Sequence, residues 1–339
     1  MLNTNCVRSV LTDTPTEIYF ADGLSALCFG NNKVRGVCVN CEEQYCMQYS
    51  EEEIVPDFFR SFPHNTDCRV CPTKSIVIEN GHPIISESCI ACGLCLHRCP
   101  FAAIQLSIND KKCYINHDSS YKADGDWKTR QKQARLLRTL PRKVCFSNIS
   151  QQFANTYSSD LKRHSKRIPD ISEIIVRNTL INSGIPCGVN VHGNNHMRIE
   201  FFAQCSEKFI IGESDITELE TLAISRRILD DIAVLINRYK IPKDSIIPIG
   251  VLNGLANKRT DFYEVIEDIH NVLGIQISLI TYHILFLLNL FHISLSDKVL
   301  SSFIVNRTQN TLLSQTSILI EDLKTIDANL ESSCYETKK

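Results

Sequence analysis

The run Cys89-Ile-Ala-Cys92-Gly-Leu-Cys95-Leu-His-Arg-Cys99-Pro100 constrains this chain more than any other stretch. Its four thiols are too close along the backbone to pair sensibly with one another, and regular close spacing of this kind points to metal. The chain has 339 residues and 16 cysteines. Nine of those cysteines (38, 41, 46, 68, 71, 89, 92, 95 and 99) lie between residues 35 and 108. That segment has few apolar residues, so metal ligation would supply much of its stability. Elsewhere the composition is ordinary: 43% apolar and 22% charged, with a net charge of −2. This is the balance of a globular chain long enough for two or three domains, and no overall field selects a partner.

A Cys-x-x-Cys-x-x-Cys loop can offer three thiolates to one [4Fe–4S] cube but cannot close around it, so the fourth sulfur must come from elsewhere. In bacterial two-cluster ferredoxins the cysteine before the proline ligates the other cluster. The run 89–100 has that spacing at every position, and "CPFAAI" continues it. Residues 89–104 therefore resemble the bacterial-type two-cluster ferredoxin family. The resemblance implies two [4Fe–4S] clusters, electron transfer or redox sensing, and a redox partner protein. "CPTKSI", 71–76, echoes "CPFAAI", which makes Cys71 the counterpart of Cys99. On this reading Cys71, Cys89, Cys92 and Cys95 hold one cluster. Cys99 joins Cys38, Cys41 and Cys46 on the other.

The upstream half departs from the family. It reads Cys38-x2-Cys41-x4-Cys46, followed by an insertion over 47–67, and Cys68 competes with Cys46 as a ligand. The alternative metal is zinc, because Cys68-x2-Cys71-x17-Cys89-x2-Cys92 has zinc-ribbon spacing. Zinc would leave Cys95, Cys99 and the repeated Cys-Pro unexplained. Cysteines 6, 28, 113, 145, 187, 205 and 334 are scattered and read as small buried hydrophobes.

The changes in character along the chain suggest five parts: an N-terminal segment (1–34), the cluster domain (35–110), a basic linker or helical region (111–168), an α/β domain (169–295) and a tail (296–339). In the fourth part, "DISEIIVRNTLINSG" reads as a helix between Asp170 and Gly184. A short strand near 187–192 follows, then the strands "HMRIEFFAQC" and "KFIIGESD". Next come an amphipathic helix over 216–239, the strand "SIIPIGVL", the helix "FYEVIEDIHNVLG", the strand "IQISLI" and an apolar helix. The expected fold is a ferredoxin-like dicluster domain followed by an α/β domain with a central mixed sheet, α+β overall.

The order of elements in the second half resembles the αβββαβ core of the restriction-endonuclease-like PD-(D/E)xK family. That resemblance implies a carboxylate site of Glu173, Glu200, Glu213 and Asp215 holding Mg²⁺, which favours oxygen ligands and could activate water for phosphodiester cleavage. Asp215 stands where the family has lysine, which equally suits an inactive domain. The blander reading of Glu173 and Glu213 is surface charge, with Arg198 neutralising Glu200. Residues 128–143 hold seven Lys or Arg and no acid, and "KRHSKR", 162–167, adds four. Such a run could bind DNA or RNA along the phosphate backbone or could simply be solvated. The histidines show no metal spacing.

The first twenty residues carry no export signal, and the apolar run 279–295 is interrupted by Tyr282, His283, Asn289 and His292. It is short for a span of about 20 residues. The expected location is the cytoplasm, with no membrane contact.

Overall fold

The computed structural model describes residues 38, 40–41, 44–99, 103–107, 112–117, 157–191, 193, 198–217, 221–257, 260–291 and 295–304. The basic stretch 128–143 and Cys6, Cys28, Cys145 and Cys334 lie outside these residues.

The cysteine-rich part is built from short elements. Ser50 opens helix α1 (Glu51–Ile54) through a capping box: its hydroxyl accepts from the Glu53 N–H and the Glu53 carboxylate accepts from the Ser50 N–H. Such a cap stabilises a helix start by about 1 kcal/mol. Strands β1 (Ile76–Glu79) and β2 (His82–Ile85) form a hairpin whose Asn80-Gly81 turn has φ of +51° and +79°. Asn-Gly suits a two-residue turn that needs positive φ at both positions. Helix α2 (Leu94–Arg98) follows, then the hairpin of β3 (Ile104–Ser107) and β4 (Lys112–Ile115). Each hairpin begins at the isoleucine five residues after a Cys-Pro, at Ile76 after Cys71 and at Ile104 after Cys99.

The second part starts with helix α3 (157–165) and α4 (Ile171–Asn182). Every residue of α4 except Glu173 is buried, because it lies between the sheet and the cysteine-rich part. The sheet runs β5 (Cys187–Val189), β6 (Phe201–Cys205), β7 (Lys208–Asp215), β8 (Ile246–Leu252) and β9 (Ser278–Thr281), in that spatial order. The β5–β6 and β6–β7 pairs are antiparallel; β7–β8 and β8–β9 are parallel. Parallel neighbours need crossovers, which α5 (Thr221–Tyr239) and α6 (Phe262–Leu273) supply. Gly274, at φ +64°, ends α6. Helices α7 (Tyr282–Phe291) and α8 (Asp297–Ser302) close the described chain. The sheet is buried on both faces, so β8 reads as an unbroken apolar run.

The central mixed sheet and the order of elements are those expected, with shifted boundaries. The helix expected from 216 starts at Thr221. The strand expected over 196–205 is extended only from Phe201, which leaves Glu200 just ahead of it. The apolar run 279–295 divides into β9 and the ten-residue α7. Among the described residues no helix is long and apolar enough to cross a membrane.

The two parts share one core. Tyr49, Val70, Ile90, Leu94 and Ala103 pack with Ile171, Ile175, Phe201, Ile210 and Phe286. On the opposite layer, Phe59 and Phe62 from the insertion join Phe202, Ile211, Ile228 and Phe262. Buried polar bonds fix the seam. Asn178 Nδ2 donates to the carbonyls of Arg69 (3.0 Å) and Val70 (2.9 Å). Tyr49 donates to Asn182 Oδ1 at 3.0 Å, and Asn182 Nδ2 donates to the Leu94 carbonyl at 3.1 Å. Left unpaired in such a seam, each group would cost about 1–3 kcal/mol, so these asparagines fix how the cysteine loops sit on the sheet.

Candidate iron–sulfur centres

The loop 89–95 turns inward because two of its residues take left-handed backbone conformations, Ala91 at φ +54° and Gly93 at +78°. Cys89, Cys92 and Cys95 thereby reach the wall of one cavity, and Cys71 completes the ring with Ile76, Ile85, Ile90 and Leu94. A second cavity is lined by Cys38, Cys41, Cys46 and Cys99, with Pro83, Ala103, Ile104 and Ile115. All eight cysteines expected as ligands thus fall into two groups of four. Each group takes three from one half and one from the other.

Cys68 lines neither cavity, and its thiol donates to the Thr66 carbonyl at 3.4 Å. Of the two competitors, Cys46 is the one that stands at a cavity wall. The zinc-ribbon set, which needs Cys68, is not assembled.

The pseudo-repeat extends to the hydrogen bonds. Ser75 N–H donates to Cys71 Sγ at 3.2 Å and Ala103 N–H donates to Cys99 Sγ at 3.3 Å, each four residues after its cysteine. Cys89 Sγ accepts from the N–H groups of Ala91 (3.4 Å) and Cys113 (3.3 Å). Such donors stabilise charge on a sulfur.

Burial first, and then the neighbouring thiols, push Cys46 up to about 12; those neighbours are Cys99, Cys95, Cys38 and Cys41. Burial and then Cys71 and Cys95 raise Cys92 well above the usual thiol range. Cys89 goes the other way, to about 6, chiefly through the Cys113 side chain. Thiols that oppose one another's ionisation need cationic charge among them before all can be thiolates, and the iron of a cluster would supply that charge. Four-thiolate zinc gathers its sulfurs about 2.3 Å from one point. Among the described residues no three Cys, His, Asp or Glu side chains gather closely enough for a single ion. Each ring offers four thiols drawn from separate loops, the donor set a [4Fe–4S] cluster would use.

The acids of the second half form a different arrangement. Glu200 Oε2 accepts from Ser214 N–H (2.6 Å) and Ser214 Oγ (2.8 Å). The cation facing it is Arg227, 4.0 Å from Glu200 and 3.8 Å from Glu213; the expected Arg198 is exposed instead. Glu213 is 1% exposed, so it is not surface charge. Burial, then Glu200 and Asp231, push it up to about 10. Burial and then Glu200 bring Glu173 up to about 7. Asp215 is spent on a turn, accepting from Thr217 N–H and Oγ1, both at 2.7 Å. Burial makes these carboxyls favour their protonated forms, and Arg227 offsets part of their charge. Among the described residues these acids do not gather three at a time around one point, and nothing in the arrangement supports Mg²⁺.

Three participants were not among the expected site residues. Asp231 and Arg227 lie four apart on α5, and Asp231 is buried on the face that carries Ile224, Ile228 and Leu235. An acid in a helix's apolar stripe was the available signal. Cys113, read as a filler, lines the second cavity. Of the other cysteines read as fillers, Cys187 is buried as expected and Cys205 is half-buried. In the described part of the basic region, Arg163 pairs with Asp160 at 3.2 Å while Lys166 and Arg167 are exposed.

Comparison with known proteins bears on the first of these arrangements. Residues 82–105 match the family model of the 4Fe-4S binding domain. An uncharacterized ferredoxin of Methanocaldococcus jannaschii is 45% identical over 42 residues, which is 12% of this chain and 28% of that protein. The chain therefore spans well under two thirds of the curated relative it matches. No solved structure matches the chain. The segment 82–105 is thus a 4Fe-4S binding domain, and the protein that carries it is an iron–sulfur protein of mixed α/β fold.

Proposed function

We propose that this chain is an electron-transfer protein holding two [4Fe–4S] clusters. Cys38, Cys41, Cys46 and Cys99 would hold the first, and Cys71, Cys89, Cys92 and Cys95 the second. The observation that carries the reading is the exchange of one cysteine between the halves across two separate cavities. The cubes would supply one-electron chemistry. The chain's own residues supply eight thiolates, an apolar wall around each site and N–H donors to the sulfurs.

Helix α2 ties the centres together. Cys95 lies on it and Cys99 caps it, the Cys99 N–H donating to the Cys95 carbonyl at 3.2 Å. Four residues of helix rise about 6 Å, so one helical turn would link a ligand of each cluster. The surroundings differ in degree. Three ligands of the first site, Cys38, Cys41 and Cys46, are half-buried beside Tyr45, which is 45% exposed, and Cys99 is buried; at the second site Cys71 and Cys89 are half-buried and Cys92 and Cys95 are buried. Half-buried ligands favour the first site as the place where a redox partner protein would exchange electrons, with the second as the interior store.

Reductive titration of the anaerobically isolated chain tests this. Its brown absorbance is expected to bleach with uptake of one electron per cube and to return on reoxidation. A chromophore that accepts no electrons over the roughly −700 to +450 mV range of such clusters would remove the electron-transfer role.

A further inference from the structure

Cys113 stands on β4 opposite Leu106 of β3. It is 1% exposed and lines the second cavity, yet it belongs to neither Cys-x-x-Cys loop nor Cys-Pro. Its backbone N–H donates to Cys89 Sγ at 3.3 Å, and the residue shares the cavity wall with Cys89 and Cys95. The wall of the first cavity, among the described residues, has no such fifth cysteine.

The two sites also differ in their donors. Around the second cavity, Ala91 N–H, Cys113 N–H and Ser75 N–H point to ligand sulfurs, and the Thr73 hydroxyl lies 3.5 Å from Cys71 Sγ. Around the first, the Ala103 N–H donates to Cys99 Sγ, and the Asn40 backbone hydrogen-bonds the Cys38 sulfur. A reduced cluster carries one more negative charge than an oxidised one, and its ligand sulfurs share that charge. A hydrogen bond to such a sulfur therefore stabilises the reduced form more and raises the potential. A thiol S–H is a weak donor in water, but a site without water gives each such bond more weight.

We propose that Cys113 is a positioning residue of the second centre: its S–H donates to the Cys89 or Cys95 sulfur and holds that centre's potential above the value set by the four ligands and the backbone. This rests on the two-cluster reading above. No bond to the cluster forms or breaks, and the electron comes from the external reductant.

The test uses the full chain, isolated anaerobically as wild type, Cys113→Ala and Cys113→Ser. Iron and acid-labile sulfide are counted for each, and both midpoints are followed by electron paramagnetic resonance. All three proteins are expected to carry the same iron and sulfide. In Cys113→Ala one midpoint falls and the other stays. In Cys113→Ser, whose hydroxyl still donates, that midpoint returns to the wild-type value or above it. The proposal is overturned by a fully loaded Cys113→Ala with both midpoints unchanged, or by a serine variant that falls as far as alanine. Loss of one cluster's iron in both variants also overturns it, because Cys113 would then hold the cluster rather than tune it. If the alanine variant does not fold, the serine variant decides, since only a midpoint at or above the wild-type value is compatible. A wild type that titrates as a single centre strikes the two-cluster reading instead, and the same comparison then judges Cys113 on that one centre.

Discussion

Replacing Cys99 with alanine is expected to remove about half of the iron bound by the wild-type chain while leaving the second centre in place. Cys99 is the single downstream thiol on the cavity that Cys38, Cys41 and Cys46 share, and it does not line the cavity that holds the other four proposed ligands. Helix α2 ends at Cys99, so the substitution adds nothing to its interior. The mirror experiment, Cys71→Ala, should remove the other half. Cys68→Ala should leave the iron unchanged, because that thiol faces the Thr66 carbonyl rather than a cavity. Iron per chain, relative to wild type and after anaerobic purification, reads all three. Loss of all iron in Cys99→Ala, or of half in Cys68→Ala, would reject the assignment. Metal binding contributes directly to folding in segments of this kind, so the 38–49 loop should also become protease-sensitive in Cys99→Ala.

The second large effect concerns stability. Phe59→Ala should cost about 3–5 kcal/mol, the usual range for emptying a buried aromatic site. Phe59 is fully buried, with ring centroids 4.8 Å from Phe62, 4.9 Å from Phe202 and 6.0 Å from Phe209. It lies in the short 3₁₀ turn Asp57–Phe59 and anchors the insertion to the layer under β6 and β7. Denaturant unfolding of the loaded protein under anaerobic conditions measures the loss. A change within about 0.5 kcal/mol, the range of ordinary surface substitutions, would mean that the insertion does not dock as described. The whole protein should respond as one unit, because Phe59 bridges the cysteine-rich part and the sheet.

That insertion shows where sequence reading stops. Residues 47–67 look like a departure from a ferredoxin pattern, since nothing local says what Phe58, Phe59 and Phe62 pack against. Their partners, Phe202, Phe209 and Tyr239, lie more than 130 residues away. The two groups of thiols were legible in their short spacings, and the echo of Cys71-Pro in Cys99-Pro anticipated that each cavity wall takes cysteines from both halves. The sheet was legible in element type and order, because β8 is an unbroken apolar run and α5 has a clear helical period. Its edges were not: Glu200 precedes β6 rather than lying within it.

The acids were only partly legible for a related reason. Strand order brought Glu200 and Glu213 together as expected, but their chemistry depends on Arg227 and Asp231, which arrive on a separate helix. Cys113 was missed because a lone cysteine on a strand has no motif. Only the alternation Lys112, Cys113, Tyr114, with the cysteine inward, hinted at it.

The central claim is that eight thiols in the first third of the chain bind two iron–sulfur cubes. Metal and sulfide analysis of the wild-type chain, prepared without oxygen, tests it most directly. Two cubes predict about eight iron and about eight acid-labile sulfide per chain, with no zinc. A colourless protein containing zinc and no labile sulfide would contradict the account, and about four iron with four sulfide would leave one of the two cysteine rings without the role given to it.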